Sequence, residues 1–179
     1  MDRHFREFPD TSTPRGRIAA RFLSVLTAAR DQGYARIVVC AHSQGTVIVA
    51  ELLRELKFRD PQNQRGLPPI YLFTCGSPLR QLYAARFPVL YEWVVGQLDD
   101  GVTGPRSTDL GVQRWTNAYN TGDYVGRWLW ESPHTDPLQT SMNYAVGVHR
   151  QFCLGAGAHT HYYDAQMVTV AQEIDALTL

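Results

Sequence analysis

The chain reads as an α/β protein built on a mostly parallel sheet, and three observations predict it. First, a β-branched run, Ile37-Val38-Val39, continues through Cys40 and Ala41, as a buried parallel strand does. Second, the residues after it switch period: from Gly45 to Lys57, Ile48, Leu52 and Leu56 fall on one helical face. Third, another apolar run, Ile70 to Thr74, follows that helix. Strand, helix and strand in this order make one right-handed crossover, the unit of a parallel sheet. A chain of 179 residues, 44% hydrophobic and 19% charged, is long enough for one core. The expected architecture is one domain over 1–179, a three-layer α/β/α sandwich.

Residues 1–12 carry little pattern and read as a loose arm. Ser12 or Thr13 before Pro14 marks a helix start, because proline is tolerated in the first turn. Ile18, Phe22, Leu26 and Ala29 then recur at helical spacing, and Gly33 supplies the left-handed cap. The first strand is expected over Ala35 to Ala41. The next helix stops near Pro61, and a polar loop leads through Pro68-Pro69 into the second strand, Ile70 to Thr74. Cys75-Gly76-Ser77-Pro78 is a turn opening a short helix that Pro88 ends, with Ser77 as its N-cap. Residues 96–112 hold four glycines, a proline and three aspartates, a surface loop or flap by composition. A third strand is expected over Val112 to Tyr119, one more within Tyr144 to Leu154, and a last helix over Asp164 to Leu177, with Met167, Val170, Ile174 and Leu177 on one side.

Composition excludes several function classes. Seventeen basic and seventeen acidic residues cancel, which leaves no electrostatic footprint for nucleic acid or an anionic membrane. No apolar run approaches the roughly 20 residues of a membrane helix. The first residues lack the apolar middle of a signal peptide. Three cysteines without a CxxC pair argue against a disulfide framework. Cys40 and Cys75 are expected as buried thiols, and a cytoplasmic, reducing location is favoured.

The chemistry centres on Ala41-His42-Ser43-Gln44-Gly45. A serine between a buried strand and a helix sits where a nucleophile elbow places it, and small residues two positions away on each side let strand and helix approach. Alone, this pattern also describes an ordinary Ser-Gly turn. A serine hydroxyl is a poor nucleophile near neutral pH, so it needs a histidine to take its proton and a carboxylate to orient that histidine. In open parallel sheets such groups gather at the carboxyl ends of strands. Asp123 lies in a turn after the third strand, and His159 lies in the Gly-rich loop before the last helix. The order Ser43, Asp123, His159 is the order such a site requires. His161 is an alternative base, two residues on. His42 reads as a packing or hydrogen-bonding residue that could also border a pocket. Asp99, Asp100, Asp109, Glu131 and Asp136 are worse placed than Asp123, and His134 and His149 read as surface or loop residues. Two histidines at i, i+2 without a third ligand at suitable spacing do not make a zinc site.

Four stretches together resemble the lipase-type α/β-hydrolases, in particular their class 3 lipase-like branch. These are Ala41-His42-Ser43-Gln44-Gly45, Thr74-Cys75-Gly76-Ser77-Pro78-Leu79, Trp115-Thr116-Asn117-Ala118-Tyr119 with Gly122-Asp123-Tyr124-Val125-Gly126, and His159-Thr160-His161-Tyr162-Tyr163. They cover residues 36 to about 178 in the order of that branch. The resemblance implies a truncated or minimal α/β-hydrolase fold with Ser43 as nucleophile, Asp123 as orienting acid and His159 as base. The Gln44 backbone N–H would be one oxyanion donor. The family has strands before its elbow, and the loop after one of them carries the second donor. Here one helix and one strand's worth of chain reach Ser43, so the expectation is a piece of a longer protein or a trimmed fold.

The sequence therefore points to a serine hydrolase that cleaves a small-molecule ester or a lipid through an acyl-enzyme, with no metal or organic cofactor. Tyr83 and Trp128 flank the site loops and could line an acyl pocket; ordinary packing explains them equally well. Two other readings stay open: a catalytically weak hydrolase-like module that binds a lipid or protein partner, and an acyltransferase.

Overall fold

The computed structural model describes residues 13–59, 61, 64, 66–98, 101–132 and 144–179. The expected arm over 1–12 and the candidates Asp99, Asp100, His134 and Asp136 lie outside the described residues.

Helix α1 (Pro14–Asp31) starts as its sequence dictates: Thr13 Oγ1 accepts the Gly16 N–H at 3.0 Å, and Pro14 occupies the first turn. Gly33 follows its end in the left-handed conformation, which relieves the helix carbonyls without a Cβ penalty. Strand β1 (Ile37–His42) enters the sheet, and helix α2 (Gln44–Arg59) leaves it after a single intervening residue, Ser43. Strand β2 (Ile70–Cys75) pairs parallel with β1, from Ile37 beside Ile70 to His42 beside Cys75. After β2 the expected short helix is a π-helical stretch, Leu79–Ala84, and a one-turn helix α3 (Ser107–Leu110) precedes strand β3 (Arg114–Tyr119). β3 begins two residues later than expected because the Val112 N–H still bonds Ser107 O, closing α3.

The region 144–154 forms two strands rather than one. β4 (Tyr144–Val146) and β5 (His149–Cys153) pair antiparallel around Gly147, whose φ of 58° makes a two-residue turn possible. The last helix, α4 (Val168–Thr178), starts after a turn in which the Met167 N–H bonds Asp164 O. The sheet order is β1-β2-β3-β5-β4. Its first four strands run parallel and only β4 is reversed, so the fold is α/β with a mostly parallel sheet.

Successive side chains of a strand point to opposite sides, and β2 uses both. Ile70 and Leu72 join a cluster with Leu26 of α1, Val47 and Leu53 of α2, and Trp115 and Trp130. Phe73 and Cys75 join a second cluster with Ala118, Tyr162, and Val170 and Leu177 of α4. Each fully buried Leu or Phe in these clusters contributes about 1.5–3 kcal/mol from removal of apolar surface from water. Residues 101–112 are packed rather than forming an open flap. Val102, Leu110 and Val112 are buried, and the Arg80 guanidinium fixes the segment by donating to Thr103 O at 3.2 Å and to Glu131 at 2.5 Å. Cys40 is exposed, contrary to expectation. β1 is an edge strand with β2 as its sheet neighbour, so apolar sequence alone does not cover it. No helix among the described residues is long and apolar enough to cross a membrane.

Candidate active site

Three parallel strands deliver the site. Ser43 follows the end of β1, Asp123 lies in the loop after β3, and His159 lies in the loop after β5. The arrangement obeys the rule that functional groups gather beyond the carboxyl ends of strands in open sheets.

Ser43 has φ 55°, the left-handed region, and is the one non-glycine with positive φ among the described residues. Such a backbone costs about 1–3 kcal/mol and persists only when its surroundings over-determine it. Here they do. The Ser43 N–H donates to Cys75 O at 3.1 Å, and Ser43 O accepts the Thr46 N–H at 3.0 Å and the Thr46 hydroxyl at 2.8 Å. With that proton committed, Thr46 Oγ1 accepts from the Ser77 hydroxyl at 2.9 Å, and Ser77 Oγ receives the Leu79 N–H at 3.5 Å. Ser77 therefore ties the next turn to the elbow, but it is not the N-cap expected from the sequence: Pro78 holds that position, and no side chain caps the helical stretch.

The three expected residues meet. Ser43 Oγ lies 2.7 Å from His159 Nε2, and His159 Nδ1 lies 2.8 Å from Asp123 Oδ2. A carboxylate accepts only, so Nδ1 carries the proton and Nε2 presents its lone pair to the serine hydroxyl. Asp123 is fully buried. Its Oδ1 accepts the Val125 N–H at 2.8 Å and the Gly126 N–H at 3.0 Å, and its Oδ2 also accepts the Tyr162 hydroxyl at 2.8 Å. Burial by itself raises this carboxyl, but the donors from Gly126, His159, Tyr162 and Val125 together outweigh it and hold the group below its ordinary value. Asp123 is thus an ionised, fixed acceptor.

Close packing keeps the loops in register. A Cβ on Gly76 would stand 2.8 Å from the Tyr162 ring and 3.1 Å from Asp123 Oδ2, so only glycine lets this turn pass beneath the acid. A buried polar ladder holds the acid loop to the sheet. Gln151 of β5 accepts the Leu129 N–H at 2.6 Å and donates to Trp130 O at 3.0 Å, while Asn117 of β3 donates to Arg127 O at 3.3 Å.

His42 takes part indirectly: its Nε2 lies 2.8 Å from His159 O, and the two rings are 4.9 Å apart. Since a carbonyl can only accept, His42 Nε2 is the donor. Gln44 is the first residue of α2, where a backbone N–H has no acceptor within the helix, so it can serve an oxyanion. His161 is not brought to Ser43. It is exposed and bonds Asp164 at 2.6 Å, three residues on in the same loop. Trp128 packs edge-on against Tyr119 and Tyr83 against Tyr91, and Tyr83 also shares a side-chain hydrogen bond with Gln44, the residue after Ser43. Glu131 pairs with Arg80. His149 is not a surface residue: its Nε2 accepts the Ser107 N–H at 2.9 Å, and burial lowers its pKa. Cys75 is fully buried, its thiol pushed up to about 12 by burial, so it stays protonated.

The sequence alone assigned no role to Tyr162, Asn117 or Gln151. Tyr162 had a usable signal, since it stands three residues after His159; the other two are ordinary polar letters within strands. Compared with family models, with curated proteins and with solved structures, the chain has no match in any of the three.

Proposed function

We propose that this chain is a serine hydrolase of esterase or lipase type, resembling the class 3 lipase-like α/β-hydrolases. The observation that carries the reading is the unbroken hydrogen-bonded chain from Ser43 Oγ through His159 to Asp123. In the proposed reaction Ser43 Oγ attacks the ester carbonyl as His159 Nε2 takes its proton. The Gln44 N–H holds the oxyanion, and His159 then gives the proton to the departing alcohol. Water repeats the cycle on the acyl-enzyme and releases the acid. Asp123 stabilises the imidazolium without taking the proton. A fluorophosphonate probe tests the reading: Ser43 should be modified and Ser43→Ala should not. Folded protein that resists labelling refutes it.

One observation favours the second reading, a catalytically weak module that binds a lipid or a protein. β1, whose end Ser43 follows, lies at the edge of the sheet formed by the described residues, and the Gln44 N–H supplies a single oxyanion donor. Losing one such donor typically costs about 100- to 1000-fold in turnover. Slow labelling together with negligible turnover of p-nitrophenyl esters would select this reading. Acyl transfer uses the same groups, and product analysis with competing alcohols separates it from hydrolysis.

A further inference from the structure

We infer that Tyr162 is a positioning residue that acts on the base through Asp123, completing a hydrogen-bonded relay of four side chains that begins at Ser43. The inference rests on the serine-hydrolase reading and assigns a role which the Ser-His-Asp set does not contain.

The geometry is specific. Tyr162 is fully buried, and its hydroxyl lies 2.8 Å from Asp123 Oδ2, the same oxygen that faces His159 Nδ1. The direction of the bond is fixed from behind, because the Asn120 N–H donates to the Tyr162 oxygen at 3.0 Å. A phenol with its acceptor side occupied by an N–H can only offer its proton forward, to the carboxylate. Tyr162 stands three residues after His159 in the same loop, so one backbone segment carries both the base and the group that restrains the base's partner. The neighbouring Gly76 has no Cβ, and one placed there would meet the Tyr162 ring at 2.8 Å.

The consequence concerns how strongly the carboxylate pulls on His159. Two donors on one oxygen divide its charge, so the Tyr162 hydroxyl moderates the Asp123–His159 bond while it fixes the oxygen in place. The charged and titratable groups facing this assembly are His42, whose ring is 4.9 Å from that of His159, Tyr163, which packs edge-on against His42, Arg127, whose Nε donates to the Asp123 backbone oxygen at 3.0 Å, and Cys75, whose thiol remains protonated. Removing the hydroxyl alone leaves more negative charge facing the imidazole, which favours the imidazolium. The pH at which His159 becomes a competent base must then rise.

The experiment measures the rate of Ser43 labelling by a fluorophosphonate from pH 5 to 9, with melting temperature recorded alongside. It compares the wild type, Tyr162→Phe and Tyr163→Phe. Tyr163 is the adjacent control, since its hydroxyl contacts Cys75 Sγ at 3.3 Å rather than the acid. Tyr162→Phe should label about 10-fold more slowly on its plateau, the scale of a small misplacement of a catalytic group. Its inflection should move upward by about half a unit to one unit, and Tyr163→Phe should keep the wild-type inflection. A Tyr162→Phe curve with the wild-type inflection overturns the inference, whether or not its amplitude or melting temperature falls, because a merely structural role lowers all points alike. Failure of the wild type itself to label overturns the serine-hydrolase reading, and this inference with it.

Discussion

Asp123→Asn changes few atoms and should have a large effect. In the wild type, Oδ1 accepts the Val125 and Gly126 N–H groups, while Oδ2 accepts from His159 and Tyr162. An amide has one acceptor oxygen, and the two backbone donors cannot move, so that oxygen takes the Oδ1 position. The NH2 group then stands where Oδ2 stood, facing His159 Nδ1 and a Tyr162 hydroxyl whose oxygen already receives the Asn120 N–H. The imidazole answers by switching tautomer, with Nδ1 accepting and Nε2 carrying the proton toward Ser43. In that state it cannot take the serine proton. In serine proteases the corresponding exchange lowers kcat by about 10,000-fold, which is about 5.4 kcal/mol of barrier at about 1.36 kcal/mol per tenfold. The loss should be read as p-nitrophenyl ester turnover and as labelling rate, with urea unfolding to show that the variant is folded. A loss below about 10-fold in folded protein would refute the tautomer argument and remove Asp123 from the orienting role.

The remaining expectations concern the frame around the site. Asp123 is held below its ordinary value in the fold, so its contribution to stability is complete above the unfolded carboxyl value of about 3.9 and disappears as pH falls through the folded value. Urea midpoints should therefore drop steeply below about pH 4 in the wild type and less steeply in Asp123→Asn. Gly126→Ala would set a Cβ 2.0 Å from the Gly76 carbonyl carbon. Backbone atoms cannot yield as a side-chain tip does, so the loss should reach or exceed the roughly 1–3 kcal/mol of ordinary overpacking, measured by thermal unfolding. Leu53→Ala, at a fully buried α2 position, should cost about 2–5 kcal/mol in the same measurement. With iodoacetamide at pH 8, Cys75 should be alkylated only after denaturation, since its thiol is buried and pushed up to about 12; peptide mapping checks this, and rapid reaction in native protein would contradict the burial.

Much was legible in the letters because the physics was local. The Ile37 to Ala41 run, the apolar face of α2 and the apolar β2 each report a period, and period decides strand or helix. Gly33 and Thr13 marked the limits of α1 through capping. The elbow serine, the acid and the base were legible because each falls where a strand ends and a loop begins. What failed was decided by neighbours. Tyr144 to Leu154 divides into β4 and β5 because Gly147 can turn left-handed and β3 offers an edge to β5 alone. Residues 101–112 pack inward because Arg80 and Trp130, distant in sequence, supply their partners: the Arg80 guanidinium reaches Thr103 and Glu131, and Trp130 Nε1 donates to Pro105 O at 3.0 Å. Cys40 is apolar in context yet exposed, since burial depends on what covers a strand and not on the strand itself.

The sequence by itself determined the succession α1, β1, α2 and β2, the turn at Ser43 and the chemical type of the three residues that follow strand ends. Only the tertiary structure decided which histidine faces Ser43, which carboxylate faces that histidine, and that Tyr162 closes the relay from behind. The reason is geometric. Residues more than a hundred positions apart reach 2.7 Å separation through the register of four parallel strands, and register belongs to the sheet rather than to any one segment of the chain.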